Sequence, residues 1–312
     1  MPEDVQQYGQ KTSVHMVKSG TSLATDARQD MVVLGGSDGT CCISPLNDLG
    51  AAQSVSVGAG AVTDVAFWEA AGRSLPIIAT ATGAIKIFSG NEEHASLSRH
   101  AGAVSGLSLH PCGSILASVS EDKSFVFYDL ESMTAASQTY TNSRTWRQSG
   151  YARDRLTTST ELTCCHFHPD GHLLAAGAID GEIKLFDVNS GESAATFDAG
   201  GPIQSLSFSE NGIWLAVVVQ TSTSISIWDL RKAAVVKVLE LGSVIRSIDW
   251  DYTGQYLAAV GSDCLVVQHY DKASKEWSEP LRKATSGTAV RWGAQAKSLL
   301  VASTEGSLEV LQ

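Results

Sequence analysis

No apolar run in this sequence approaches the roughly 20 residues that a membrane-spanning helix needs. The densest, Trp214 to Val219, is far shorter. The opening residues, MPEDVQQYGQKTS, are polar and have no apolar core of a secretory signal. There is no Asn-x-Ser/Thr sequon and no Cys-x-x-Cys. Two adjacent pairs, Cys41-Cys42 and Cys164-Cys165, stand among the six cysteines. Neighbours on a strand point to opposite faces, so these pairs suit small buried apolar positions better than bridges. A reducing compartment is expected, cytosol or nucleus. A sustained 3.6-residue apolar period is missing as well, so almost no helix is expected. The chain has no P-loop, and no helix follows Gly58-Ala59-Gly60 to make a dinucleotide fingerprint. Basic residues are in the minority: 22 Lys plus Arg against 33 Asp plus Glu gives a formal charge of -11. That balance argues against sequence-independent coating of nucleic acid.

What the 312 residues do hold is apolar material and a repeat. At 43% hydrophobic and 18% charged, the composition is that of a globular chain with a sizeable core, not a disordered one. A small-residue turn followed by an alternating strand recurs as SDGTCCISPL (37–46), ATGAIKIFSG (81–90), EDKSFVFYDL (121–130), IDGEIKLFDV (179–188), TSTSISIWDL (221–230), SDCLVVQHY (262–270) and TEGSLEVLQ (304–312). Aligned on Ser44, Phe88, Tyr128, Phe186, Trp228, Gln268 and Leu311, the copies are separated by 44, 40, 58, 42, 40 and 43 residues. A period of about 40–45 is that of a four-stranded propeller blade. Alternating strands precede these copies, as in PIQSLSFSENG (202–212) and IWLAVVV (213–219), with Gly and Pro between strands rather than within them. The expectation is all-β: one seven-bladed propeller over 1–312, with a flexible lead-in at 1–12. The last repeat stops after its third strand, so the N-terminus, roughly Ser13 to Lys18, is expected to supply the outer strand and close the ring.

The third strands carry a family resemblance. Trp228-Asp229 is the literal dipeptide of a WD-repeat blade, and Phe186-Asp187 and Tyr128-Asp129 are aromatic variants. Four segments narrow the likeness: HAGAVSGLSLH (100–110), LTCCHFHPDG (162–171), PIQSLSFSENG and ISIWDLRK (225–232). Over about 100–232 the chain resembles the C-terminal WD-repeat propellers of the U-box ubiquitin ligases of the spliceosomal NineTeen complex. In that family a U-box and a coiled coil precede the propeller, and neither is visible here. The resemblance implies a nuclear, substrate- or partner-binding end of a ligase, with roles in pre-mRNA splicing, ubiquitination and DNA repair. It implies partners among spliceosomal and NineTeen-type proteins and ubiquitylation substrates, no membrane, and a monomeric propeller oligomerised through the coiled coil. Docking of a ubiquitin-conjugating enzyme would lie outside this chain, so neither an enzyme nor a cofactor is expected in it. The alternative is an RNA-contacting or general scaffold propeller unrelated to ubiquitylation.

Some constellations invite chemistry. His100, Ser118 and Asp122 are the residue types of a nucleophilic triad. No G-x-S-x-G elbow surrounds the serine, and in a WD repeat these positions form a structural network beside Tyr128. Trp228 and Asp229 are assigned to the same structural role in their own blade. Cys164, Cys165, His166, His168 and His172 suggest a metal site, but strand alternation and the Pro169-Asp170-Gly171 turn keep them from converging, and no metal is expected. One feature exceeds the blade template. The 58-residue interval carries roughly 16 residues beyond the usual period. They fall in TNSRTWRQSGYARDRLTTST (141–160), where Arg144, Arg147, Arg153 and Arg155 interleave with Trp146 and Tyr151 and give a local charge of +3. Arg and aromatics are the types enriched in binding hot spots and able to stack on bases. With 134–140 as the outer strand, this loop is expected to rise near Glu121, Asp122, Asp180 and Gly181 and to bind a partner.

Overall fold

The computed structural model describes residues 11–135 and 156–312. Their strands form seven antiparallel sheets in chain order, each a blade of a closed ring. The most regular blades are the fourth (Leu162–Phe167, Leu173–Ala178, Glu182–Asp187, Ser193–Asp198) and the fifth (Ile203–Phe208, Trp214–Val219, Ser224–Asp229, Ala234–Glu240). The first strand of each blade lines the central channel and the fourth lies on the rim. Connections from outer strand to next inner strand share one face, here the upper, with the turns between second and third strands. Hairpins between first and second strands lie on the lower face.

Packing explains the alternation. The buried apolar residues fall into seven clusters, each wedged between neighbouring blades. Cys41 and Cys42 show the rule: one faces the cluster toward blade two and the other the cluster toward blade seven. All six cysteines are free thiols. Blades one to six share a bulge at one position of the inner strand, between Val62 and Asp64 or Ile245 and Ser247 for example. The extra residue bends the strand and increases its twist.

Side chains on the inner strands stitch blade to blade. Ser22 Oγ donates to Asp64 (2.6 Å), and Asp64 accepts the Leu107 N–H (2.7 Å). Ser108 Oγ accepts from Phe167 N–H at 2.9 Å, and His166 Nδ1 from Phe208 N–H at 3.4 Å. Ser207 Oγ accepts from Trp250 N–H at 3.4 Å, and Asp249 from Trp292 N–H at 2.8 Å. On the lower face, His110 Nε2 donates to the Gly171 carbonyl and His168 Nε2 to that of Gly212. Both glycines have positive φ, and a Cβ at Gly171 would lie 2.2 Å from His110. The turn and the neighbouring imidazole each require glycine there.

The N-terminal strand does close the ring. It spans Lys11–His15 and pairs antiparallel with Ser307–Leu311, Lys11 opposite Leu311 and His15 opposite Ser307. It starts two residues earlier than expected, so Lys11 and Thr12 belong to the ring rather than to a flexible lead-in. It also ends earlier than Lys18, because Met16 and Val17 turn inward and donate to the Gly306 carbonyl (2.9 and 3.1 Å). Val17 is buried there against blade seven.

Blade three departs from the reading of 134–140 as its outer strand. Leu130–Ala135 is a short helix, and the outer strand is Leu156–Thr157, opposite Phe125 and Ser124. Asp129 caps the helix by accepting from the N–H groups of Glu131 (3.1 Å) and Ser132 (3.3 Å), and Leu130 anchors it in the core. Leu156 packs with the cluster between blades three and four, a contact that fixes the late strand. The surplus residues therefore precede the outer strand instead of following it. Blade six carries an addition of its own: Glu276–Trp277 folds back on Tyr270 and Asp271 before Leu281–Ala284 completes the rim.

Candidate functional site

The structure brings His100, Ser118 and Asp122 together beneath the upper face of blade three. His100 Nε2 lies 2.6 Å from Ser118 Oγ, and its Nδ1 lies 3.0 Å from Ser124 Oγ and 3.4 Å from Asp122. Asp122 accepts the Ala101 N–H (2.6 Å) and the Ser124 N–H (3.1 Å), and the Ser124 hydroxyl donates to it as well. Asp122 thus ties the loop entering the blade to its central turn, through a histidine that is only 8% exposed. Ser124 was not singled out from the sequence. A hydroxyl opening the third strand is its only mark. Tyr128 lies beside the group, and burial pushes its hydroxyl up to about 12 while Ser118 pulls the other way.

Asp229 and Trp228 sit two blades away and do not join this network. Asp229 accepts from the N–H groups of Arg231 (3.0 Å) and Lys232 (3.3 Å), just as Asp187 accepts from Ser190 (2.7 Å). The aspartate of the dipeptide is therefore a turn-former. The Arg231 guanidinium and these amides hold its carboxyl below the ordinary carboxylate range. Trp228 is buried, with its ring 5.6 Å from that of Phe197.

The Cys/His segment is dispersed by its own strand. Cys165 enters the core between blades three and four, Cys164 packs toward blade five, His166 faces the channel, and His168 is engaged on the lower face. Among the described residues no three His, Cys, Asp or Glu side chains are grouped to hold a metal ion. Arg144, Trp146, Arg147, Tyr151, Arg153 and Arg155 lie outside the described residues. The loop's C-terminal flank is described, and Thr158 N–H donates to the Lys123 carbonyl (2.6 Å) at the upper face.

Along the axis runs a polar channel of about 250 Å³ that opens on the lower face into a cavity of about 610 Å³. Its titratable and charged groups come from blades far apart in sequence: Asp64, His166, Arg246, Asp249 and Arg291. Burial pushes the Asp249 carboxyl up to about 6, against the pull of Arg291 and of the Trp292 N–H. Asp64 is raised by the same cause and held back by Ser22, Leu107 and Arg291. His166 is driven down to about 4 by burial and then by the Arg291 charge, so it is neutral at pH 7. That state suits its Nδ1 as acceptor for Phe208 N–H. The sequence reading passed over these residues. A signal for them exists, since Ser108, His166, Ser207, Asp249 and Arg291 occupy equivalent positions near the ends of successive inner strands.

Seven blades, six of four strands and one with a fifth, a turn-forming Asp at the ends of third strands and a His–Asp-tied blade define a WD-repeat propeller. The family described as "Nucleolar protein 10-like, N-terminal domain" matches residues 84–276, more than half of the chain, and the chain belongs to this β-propeller family. Its sequence is also similar to that of Pre-mRNA-processing factor 19. It is 32% identical to the Schizosaccharomyces pombe protein over 56% of this chain and 32% of that one. With Pre-mRNA-processing factor 19 homolog 2 of Arabidopsis thaliana it shares 29% identity over 90% of this chain and 52% of the relative. The chain thus spans between a third and a half of the length of these curated relatives. A chain in the crystal structure of a mitotic checkpoint complex shares the fold, with a TM-score of 0.78 at 15% identity, covering 96% of this chain and 90% of that one. The protein is a WD40 interaction domain related to a pre-mRNA-processing factor.

Proposed function

We propose that this propeller is the partner- and substrate-binding part of a spliceosomal U-box-type ubiquitin ligase, working in the nucleus and performing no chemistry itself. The observation that carries this reading is the alignment with Pre-mRNA-processing factor 19 along up to 90% of the chain. The fold supports it physically. His100, Ser118 and Asp122 in blade three and Ser108 and Asp249 on the inner strands join loops and blades, which gives a braced ring that presents loops. Partners are proteins of the spliceosome and of a NineTeen-type complex, and substrates marked by ubiquitin. The 141–160 insertion is proposed as one contact, with Trp146 and Tyr151 as anchors and its arginines meeting acidic or phosphorylated segments.

The test is a pull-down from nuclear extract with this chain as bait, with and without nuclease. Capture of splicing proteins and ubiquitylated species from nuclease-treated extract is expected. Loss of all capture on nuclease treatment, with steep weakening as salt rises, would favour RNA contact instead. Replacing Trp146 and Arg147 with Ala is expected to weaken capture by about 2 kcal/mol with thermal stability unchanged. Intact capture by that variant removes the insertion from the binding surface.

A further inference from the structure

The cavity on the lower face is large enough for a side chain of another molecule and is built from unlike walls. At about 610 Å³ it falls in the range of ligand pockets. Blade seven contributes Arg291, the cation at the channel's end. Its guanidinium donates to the Val290 carbonyl (2.9 Å), and its field pulls down on the carboxyls of Asp64 and Asp249. Blades five and six contribute Glu210, Asp249, Trp250, Asp251 and Tyr252. Asp251 is taken up by its own hairpin, accepting from the N–H groups of Thr253, Gln255 and Tyr256. Glu210 at the rim and Asp249 at the floor remain as the acids facing this wall. Tyr252, 61% exposed, stands beside them. Trp250 lines the same wall, and its buried indole N–H has no acceptor among the described residues.

We propose that this lower mouth receives a cationic side chain, arginine or lysine, from a segment of a protein partner. A guanidinium or ammonium would meet the Asp249 and Glu210 carboxylates while lying against the Tyr252 ring, where the face of an aromatic attracts a cation. The chain's charge of -11 draws basic segments toward it. An acidic side chain would face the Asp249 and Glu210 carboxylates with Arg291 alone to offset them. The proposal rests on the reading of this chain as an interaction domain and names the chemistry of one of its contacts.

The test uses the whole chain and fluorescein-labelled Gly/Ser decapeptides with one central Arg, Lys, Glu or Met, titrated by anisotropy. The Arg and Lys peptides are expected to bind about tenfold or more tightly than the Glu and Met peptides. Asp249→Asn keeps an acceptor for the Trp292 N–H and should weaken the Arg peptide by about tenfold. Tyr252→Ala removes only an exposed ring and should act in the same direction, which decides the matter even if Asp249→Asn folds poorly. Glu121→Gln, on the upper face, should leave binding unchanged. Equal or tighter binding of the Glu peptide overturns the proposal, as does an Arg peptide that is indifferent to both lower-face substitutions. If the peptides fail while the wild-type chain still captures splicing proteins, the cationic contact is wrong and the interaction reading stands.

Discussion

The inner and outer strands of this ring obey different constraints. Six inner strands carry a bulge at the same place, and their side chains hand hydrogen bonds from blade one through to blade seven. The outer strands follow a weaker rule: those of blades two, four and five share a bulge opposite Phe88, Phe186 and Trp228, and the others depart from it. One is two residues long in blade three, one is interrupted in blade six, one is borrowed from the N-terminus, and that of blade five leaves Val235, Val236 and Val238 about 40% exposed. The physical reason is crowding. Seven inner strands must share one axis, and a change in one displaces its neighbours, whereas the rim faces water and tolerates insertions. Variation between related propellers is therefore expected to gather on the rim and at the channel mouths.

That contrast can be broken most severely at the one outer strand that is structural for the whole ring. Deleting residues 1–18 removes the strand paired with Ser307–Leu311 together with the buried Val17, and exposes Leu308 and Val310. A loss of about 3–6 kcal/mol, or aggregation through the bare edge, is expected in denaturant titration. An unchanged transition would falsify closure by this strand.

Next comes the buried network of blade three. His100→Ala leaves Ser118, Ser124 and Asp122 without their shared partner and should cost about 1–3 kcal/mol in equilibrium unfolding. No loss of stability would mean that this polar group is not what joins loop to turn.

A comparable effect is expected at the channel, where His166 opposes the buried carboxyls of Asp64 and Asp249. The folded ring keeps a proton on Asp249 up to about pH 6 that the unfolded chain releases near 3.8, so this group's contribution falls as pH rises between those values. His166 works in reverse. The unfolded chain takes up a proton below 6.5 while the folded one waits until about 4, so its contribution grows as pH rises through that window. Asp249→Asn should therefore steepen the rise of stability with pH between 4 and 6.5, and His166→Gln should flatten or invert it, each by about 1–3 kcal/mol. Melting curves across pH check the sign, and parallel profiles for both variants would show that neither group titrates as described. The smallest effect is expected on the rim: Val236→Thr in the exposed strand of blade five should change stability by less than about 0.5 kcal/mol. A larger loss would extend the packing constraint outward.

Much of this is legible in the sequence. Tyr128-Asp129, Phe186-Asp187 and Trp228-Asp229 marked third strands because an aromatic must fill the core just where an Asp must turn the chain. The strand shift in blade three was not legible. TAASQTY and Leu156-Thr157 are both too weakly alternating to rank, and the choice fell to Leu130 finding a buried position and Leu156 packing against the core. Ser124 was hidden for a related reason, since a serine opening a strand looks the same whether or not a histidine from the previous loop reaches it.

The sequence by itself determined the number of blades, the turns between their strands and the need for a borrowed strand, because alternation and turn chemistry act over a few residues. Only the tertiary structure decided that Asp64, His166, Asp249 and Arg291 share one channel and which of them hold protons there. Desolvation and the Arg291 field belong to the closed ring, and no short segment of the chain carries them.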